Sequence, residues 1–193
     1  MKVKGQKRQD ILKYAGILFK DKGFHNTKMD DIAVAAGVGK GTLYEYFKSK
    51  QDIFDEACIE YVELTIETIQ DVSNMESTFD EKLLALFNVK VKMESEFENI
   101  IIDNVLSWKN IMSEKTVKTI IKKISEIYKL VATIIDQGKE EGVVVKNIPS
   151  EIIACSIIGT MSEYLVYNIK NKDNEIKEND LIIDLLYNGF AVK

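Results

Sequence analysis

The sequence predicts an all-α protein with a small N-terminal domain and a larger helical body. The chain of 193 residues contains one proline, Pro149, and few of its ten glycines lie beyond residue 41. Both residue types interrupt helices, so their scarcity favours helix over most of the length. Apolar residues recur at spacings of three and four, the period of an amphipathic helix. Hydrophobic residues make up 46% and charged residues 30%, a balance typical of a folded globular chain.

The first two predicted helices begin and end at recognisable residues. The first covers residues 7–22, and Gly23 stands where helices commonly end. Thr27 and Asp30 fit a capping box, with a hydroxyl at the N-cap and a carboxylate three residues later, so a short second helix is expected here. One face of each helix is apolar and is expected to point inward. These inward residues are Ile11, Leu12, Ala15, Leu18 and Phe19, then Met29, Ile32, Ala33 and Ala36.

A glycine-containing turn separates the second helix from a third. Gly37 breaks the second helix, Val38 fills the turn, and a short helix follows in which Leu43 and Phe47 point inward. Helix, tight turn, helix is the helix-turn-helix arrangement, whose second helix enters a DNA major groove. The outward residue types suit that place, because glycine lets backbone approach phosphate while lysine, threonine and tyrosine reach phosphates or base edges. They are Gly39, Lys40, Gly41, Thr42, Tyr44 and Tyr46.

The charge of the chain is divided between its two parts. Residues 1–50 contain 11 lysines and arginines against 5 acidic residues, a net charge of +6, whereas residues 51–193 contain 15 against 26, a net charge of −11. A basic head on an acidic body is typical of a small module that meets a polyanion. Ser49 and Asp52 fit a second capping box that begins a fourth helix. We expect the first amides of that helix and Lys50 to clamp one phosphate.

Residues 8–57 resemble the DNA-binding domain of the tetracycline-repressor (TetR) family. The resemblance rests on an ordered set: Phe19, Gly23, Phe24, Thr27, Asp31-Ile32-Ala33, Ala36-Gly37-Val38, Lys40-Gly41-Thr42-Leu43-Tyr44, Tyr46-Phe47, Lys48-Ser49-Lys50 and Phe54. It implies an all-helical homodimer with a three-helix head and a ligand-binding body. With Lys28 added beside the second helix, the expected DNA contacts are Thr27, Lys28, Lys40, Gly41, Thr42, Tyr44, Tyr46 and Lys50. Gly39, where the family usually has a small polar residue, and the acidic Glu45 depart from the pattern and leave the operator sequence open.

The number of arginines limits how this chain can recognise DNA bases. Arg8 is the only arginine in the chain, so bidentate contacts from arginine to guanine are nearly excluded. We expect discrimination to depend on Thr42, Tyr44 and Lys40. An N-terminal arm is expected to follow phosphates or an A·T-rich minor groove. Its basic residues are Lys2, Lys4, Lys7 and Arg8.

The rest of the chain is expected to form further helices and two domains. The predicted helices cover about residues 50–72, 79–95, 97–110, 114–141, Pro149 to 170, and 180–191. No repeat, low-complexity segment or phosphate-binding glycine loop interrupts them. The predicted domains are a helix-turn-helix DNA-binding domain over residues 1–49 and a helical-bundle domain for ligand binding and dimerisation over residues 50–193.

The last two predicted helices carry more apolar residues than one buried face requires, which usually indicates a partner. A two-fold dimer through these helices would form a four-helix bundle and carry two heads to half-sites about one turn of DNA apart. The alternative is that both helices belong to the internal core. The expected interface residues are Ile153, Ile157, Met161, Tyr164, Ile182, Leu185 and Leu186.

A ligand site in the body is implied by the resemblance. An unidentified small molecule would bind there and favour a spacing of the two heads that no longer fits the operator. Net negative charge slightly favours a cationic or neutral ligand. Candidate wall residues, which core packing would equally explain, are Tyr61, Phe87, Met93, Phe97, Trp108, Met112 and Tyr128.

Other classes of protein are disfavoured by counts of reactive residues. The single histidine, His25, lies in a connecting segment, and Cys58 and Cys155 are far apart, so the sequence predicts no enzyme, metal site or cofactor. Apolar runs are shorter than the ~18–20 residues of a membrane helix. Cysteine usage and the polar N-terminus favour a cytoplasmic protein. Abundant Lys and Ile with scarce Arg and Pro favour a bacterial one.

These observations predict a ligand-responsive DNA-binding transcriptional regulator, acting as a repressor. The alternative is an architectural or division-linked DNA-binding factor of the same fold that takes no effector. The expected partners are double-stranded DNA, a second copy of the chain and a small-molecule effector, without a membrane.

Overall fold

A computed structural model describes residues 2–96, 110–170 and 179–190, and every regular element in these ranges is a helix. The prediction of an all-α fold is therefore confirmed. The helices are α1 (Lys2–Lys22), α2 (Met29–Ala35), α3 (Lys40–Tyr46), α4 (Lys50–Ser73), α5 (Phe79–Glu96), α6 (Glu114–Glu140), α7 (Ser150–Lys170) and α8 (Asn179–Phe190). The helix expected over residues 97–110 lies almost wholly outside the described residues.

Helix ends match the sequence pattern at most positions, with two differences. α1 begins at Lys2 and not near residue 7, so the expected N-terminal arm is helical. The capping box expected from Thr27 and Asp30 is wrong by one residue: Lys28 is the N-cap of α2, and its amide donates to the Asp31 carboxylate (3.3 Å). At α4 the expected cap is present, because the Asp52 amide donates to the Ser49 hydroxyl (3.1 Å).

The chain divides into two compact units, which are described separately. The head unit contains residues through Glu63 and the described residues 110–121, and the body unit contains residues 64–96 and those from Lys122 onward. The units therefore divide inside α4 and again inside α6. The head core is built from α1, α2, α3 and the first half of α4, and Phe54 lies at its centre with ring centroids 5.4 Å from Phe19 and 5.0 Å from Phe24.

The body core is formed by α5, α6 and α7, with α8 packed on α7. A buried Lys82 lies beside this core, where its ammonium donates to the Ser73 carbonyl and the Gln137 side chain (2.7 Å each). Gln137 in turn donates to the Ser77 carbonyl (2.9 Å) and to Glu141, whose carboxylate accepts from the Phe79 amide (3.0 Å). These bonds hold the α4–α5 connection against the end of α6. The hydrogen bonds from Gln137 and from the Phe79 amide lower the pKa of Glu141.

The expected dimer interface is corrected on α7. Four of its residues, Ile153, Ile157, Met161 and Tyr164, are buried in the body core of a single chain. Ile182 and Leu186 on α8 are partly buried against the same core, and only Leu185 is exposed, at 66%. α7 carries apolar residues on more than one face, so helical spacing alone could not indicate which face its own core would take.

Two other kinds of feature are absent from the residues that the structure describes. No helix there is both long enough and apolar enough to cross a membrane. The same part of the chain holds no group of three or more histidine, cysteine, aspartate or glutamate side chains placed to bind a metal ion.

Candidate nucleic-acid interface

The turn between α2 and α3 is shaped by one glycine. Gly37 has a φ of 64°, a left-handed conformation that side-chain-bearing residues rarely adopt. The Val38 amide then donates back to the Ala33 carbonyl (2.9 Å), which closes the end of α2. α3 begins after Gly39, and its Leu43 and the following Phe47 are almost fully buried in the head. The opposite side of α3 is thereby turned to solvent.

The outward side of α3 brings together most of the residues expected to contact DNA. Lys40 and Gly41 are exposed, Tyr44 is 45% exposed, and Thr42 and Tyr46 are partly exposed. A Cβ added at Gly41 would meet nothing within 4 Å, so its backbone is open to a close approach. The surface formed by these five residues is called here the recognition face.

Lys40 on the recognition face is paired with an acid from the neighbouring helix. Its ammonium lies 2.8 and 3.0 Å from the two carboxylate oxygens of Asp30 in the first turn of α2. The hydrogen bond to Asp30 raises the pKa of Lys40, so the lysine is charged at neutral pH. Both side chains are more than 60% exposed, and this pair adds little stability. It does place a carboxylate beside the recognition face, which the sequence pattern did not reveal.

The Thr27 side chain is not presented on the recognition face. It is 1% exposed, and its hydroxyl donates to the carbonyls of Leu18 (3.2 Å) and Gly23 (2.9 Å) at the end of α1. The expectation that this side chain contacts DNA is therefore wrong. The hydroxyl instead satisfies carbonyls that the end of a helix leaves without an internal partner. Neighbouring Lys28 and His25 are exposed.

Lys50 is also placed differently from the expectation. Its ammonium donates to the carbonyls of Phe24 (2.5 Å), His25 (3.2 Å) and Thr27 (2.8 Å), and it lies 4.4 Å from the centre of the Phe24 ring. Desolvation lowers its pKa. In this structure Lys50 is thus directed at the α1–α2 connection and not outward to a phosphate.

Arg8 is turned toward its own head unit. Its guanidinium pairs with Glu56 of α4 and lies 5.4 Å from the centre of the Phe47 ring. An arm that follows a DNA groove with Arg8 is therefore not the arrangement seen here. The side chains of Lys2 and Lys4 lie outside the described residues, and Lys7 is exposed.

Residues 11–57 match the family model described as "Bacterial regulatory proteins, tetR family". This match covers the whole helix-turn-helix and the start of α4. The head of this chain is therefore similar to the tetR family. The chain is a DNA-binding transcriptional regulator.

The relatives of this regulator are similar to it over different lengths. The Fatty acid metabolism regulator protein of Bacillus subtilis is 26% identical over the whole of both chains. The repressor KstR2 of Mycolicibacterium smegmatis is 32% identical over 42% of this chain and 40% of its own. The first similarity therefore extends through the body, whereas the second covers less than half of either chain.

Solved structures share the fold at lower identity. The regulator FadR of Bacillus subtilis, solved in complex with stearoyl-CoA, is 20% identical with a TM-score of 0.76, over 94% of this chain and 98% of that one. AibR, solved with isovaleryl coenzyme A and operator DNA, is 18% identical with a TM-score of 0.69, over 95% and 97%. At these identities the likeness shows the fold.

The residues expected to line a ligand pocket in this chain are divided between the two units. Tyr61 and Met112 are buried in the head unit. Phe87 is buried in the body core, 6.1 Å from the ring of Tyr164, and Tyr128 is partly buried. The side chains of Met93, Phe97 and Trp108 lie outside the described residues.

The two cysteines of this regulator have different environments. Cys58 is buried, and desolvation raises its pKa to about 12, so its thiol is protonated and unreactive. Cys155 is exposed on α7.

Proposed function

We propose that the chain is a repressor that binds a palindromic operator as a homodimer and releases it when a long-chain acyl-CoA binds the body. Residues 1–49 would contact DNA, and residues 50–193 would bind ligand and dimerise. The observation that carries this proposal is the full-length similarity to the Bacillus subtilis fatty acid metabolism regulator. A bacterial regulator meets its DNA in the cytoplasm, so we propose that location too.

The proposed DNA contacts are made by the recognition face and Lys28. Lys40 and Lys28 are suited to phosphates, Gly41 to close backbone approach, and Thr42, Tyr44 and Tyr46 to base edges or phosphates. Their exposure on one side of α3 supports the proposal. Glu45, which is exposed on the same helix, would repel phosphate or accept from a cytosine amine.

The proposed dimer uses the side of α7 and α8 that faces away from the body core. On α7, Ile152, Cys155, Gly159 and Tyr167 recur at steps of three, four and eight residues and are all exposed. On α8, Leu181 and Leu185 are one turn apart and are 56% and 66% exposed. Exposed apolar residues on two packed helices favour a self-complementary contact with a second copy. This face replaces the buried one expected from the sequence.

A long-chain acyl-CoA is the effector class we propose. The relative that matches the whole chain is named for fatty acid metabolism, and two fold neighbours were solved with acyl-CoA molecules. The body core is rich in aliphatic and aromatic side chains, the lining that an acyl chain requires. The nucleotide head of an acyl-CoA is anionic, whereas the sequence favoured a cationic or neutral ligand. A few cations beside the phosphates are enough to bind them, so the net negative charge of the body does not exclude this ligand.

The head unit contains a contact through which ligand binding could act. The Asp55 carboxylate of α4 accepts from the Ser113 amide (3.1 Å), and Gln51 donates to the Ile111 carbonyl (2.8 Å). Ser113 also caps α6, because the Thr116 amide donates to its hydroxyl (3.3 Å). α6 continues from the head unit into the body unit. We propose that a ligand which shifts α6 acts on α4 through these bonds.

The test measures release of DNA by a defined effector. Stearoyl-CoA is titrated into the protein bound to a fluorescent duplex that the wild-type protein selects from random sequence, with free CoA and stearate as matched controls. We expect stearoyl-CoA to release the duplex and to raise the melting temperature of the protein. Free CoA and stearate are each expected to have little effect. Sequence-specific binding by a dimer that no acyl-CoA alters would favour the effector-independent factor and contradict this proposal.

A further inference from the structure

We infer that Lys50 is a positioning residue of the DNA-binding head, which keeps its ammonium on the α1–α2 connection when operator is bound. This inference rests on the proposed DNA-binding function and refines it. Other lysines would contact phosphates, and Lys50 would hold the segment that leads into α2 and so fix where α2 begins. The sequence expectation was the reverse, that Lys50 clamps a phosphate.

The donor count of the ammonium supports this role. A lysine ammonium has three N–H donors, and here three main-chain carbonyls accept from it, those of Phe24, His25 and Thr27. The Phe24 ring lies against the charge at 4.4 Å, a cation–π distance. If the Lys50 ammonium turned toward a phosphate, it would lose all of these contacts, and the three carbonyls would have to accept hydrogen bonds from water instead. No donor is left over that could serve a phosphate while the contacts persist.

The three carbonyls belong to the segment that leads into α2. Thr27 fixes this segment to the end of α1 through its buried hydroxyl. Lys28 follows as the N-cap of α2, and Asp30 in the first turn holds Lys40 of the recognition face. A continuous series of contacts therefore leads from the start of α4 through the connection to the start of α3. Loss of the Lys50 ammonium would loosen the first part of that series.

Other lysines remain available for phosphate. Lys28 and Lys48 are exposed, and Lys40 is exposed with its charge shared with Asp30. Each phosphate contact that is lost lowers the slope of log affinity against log salt by about 0.9, so a substitution carried by both copies of the dimer lowers it by about 1.8. The salt slope thus separates a lysine that contacts phosphate from a lysine that acts through the loop.

The first experiment measures Lys50→Met, Lys50→Arg and, as the matched control, Lys40→Met in the full-length protein at a temperature where all remain folded by circular dichroism. The probe is the duplex selected by the wild-type protein. For Lys50→Met we expect affinity to fall about tenfold with an unchanged salt slope, and melting to fall by about 5 °C. Lys50→Arg should rescue incompletely, because a planar guanidinium does not match three converging carbonyls. Lys40→Met should lower the slope by about 1.8, about 0.9 for each copy in the dimer, with unchanged melting.

Two results would overturn the inference. A slope lowered by about 1.8 in Lys50→Met, with full rescue by arginine, would make Lys50 a phosphate ligand. Lower melting with unchanged affinity and base preference would make it a stabilising residue that positions nothing for DNA.

A second measurement needs no variant that might fail to fold. In wild-type protein with ¹⁵N-labelled lysine, the Lys50 ammonium is expected to give a resonance protected from exchange with water, and to keep its chemical shift when the duplex is added. A missing resonance, or one that moves on binding, would contradict the inference. If wild-type protein selects no DNA at all, the proposed function fails instead, and the free-protein resonance still reports on the carbonyl contacts.

Discussion

At the scale of the residue, the recognition face combines a cation with a neighbouring anion. Asp30 shares the charge of Lys40 and places a carboxylate where phosphate is proposed to lie. We predict that Asp30→Asn raises affinity for duplex DNA about three- to tenfold at low salt, because it frees Lys40 and removes a repulsive charge. Fluorescence anisotropy over a salt series measures the change.

The control for this prediction is Asp21→Asn, which makes the same charge change at an exposed residue near the end of α1. An equal gain in both variants would assign the effect to net charge alone and contradict the specific role of Asp30. The sequence could not reveal this pair, because Asp30 and Lys40 are ten residues apart and meet only through the turn at Gly37.

At the scale of the element, close packing fixes the C-terminal end of α6. A Cβ added at Gly138 would lie 2.6 Å from the Val144 side chain and 2.7 Å from the Phe79 ring, both in the body core. We predict that Gly138→Ala lowers the free energy of unfolding by about 1–3 kcal/mol through overpacking, despite the better helix propensity of alanine. Thermal or urea unfolding measures it.

Gly5→Ala is the matched control, because a Cβ at Gly5 meets nothing within 4 Å and the residue also lies in a helix. There alanine should leave stability unchanged or raise it slightly. If Gly138→Ala behaved like Gly5→Ala, the packing of α6 against Phe79 would not be as described.

A second prediction at this scale concerns the contact between α4 and the start of α6. We predict that Asp55→Ala binds operator within about threefold of wild type but needs about tenfold more stearoyl-CoA for half release. The Ser113 amide would lose its acceptor, and the coupling between ligand and DNA would weaken by a typical allosteric amount. Titration of the bound fluorescent duplex with stearoyl-CoA measures both quantities.

Asp55→Asn keeps a side-chain oxygen that can accept from Ser113, so this variant should retain most of the response. The proposed route would be refuted by an Asp55→Ala protein that releases DNA at the wild-type ligand concentration. Equal loss in the alanine and asparagine variants would instead make the charge of Asp55 the active feature.

The sequence predicted where the helices lie better than it predicted which face of each helix is buried. Helix ends were predictable because caps and glycines act within a few residues, as at Ser49 and Gly23. The buried faces of α2 and α3 were predictable because polar residues occupy the other side. α7 is apolar nearly all round, so Ile153 and Ile157 were assigned to a partner although they fill the chain's own core. The direction of the Lys50 side chain was not predictable, because carbonyls about 25 residues away, not local spacing, determine it.

At the scale of the whole molecule, DNA binding is proposed to depend on two heads in one dimer. We predict that Leu185→Glu converts the protein to a monomer and lowers affinity for the selected duplex by at least 100-fold, because a charge is placed in the apolar contact and one head is lost. Light scattering measures the mass, and anisotropy measures the affinity.

Leu84→Glu is the control, since Leu84 is also an exposed leucine, 46% exposed on α5. It should stay dimeric and bind normally. A Leu185→Glu protein that remains a dimer would contradict the proposed interface on α7 and α8, whatever its affinity for DNA.

The most direct test of the central claim is selection of bound sequences from random duplex DNA by the full-length protein, with the mass of the complex measured in solution. The account predicts a palindrome with half-sites about one helical turn apart, bound by two copies of the chain and lost from the selected pool when stearoyl-CoA is present. Recovery of no enriched sequence, or of a single half-site bound by a monomer, would contradict it.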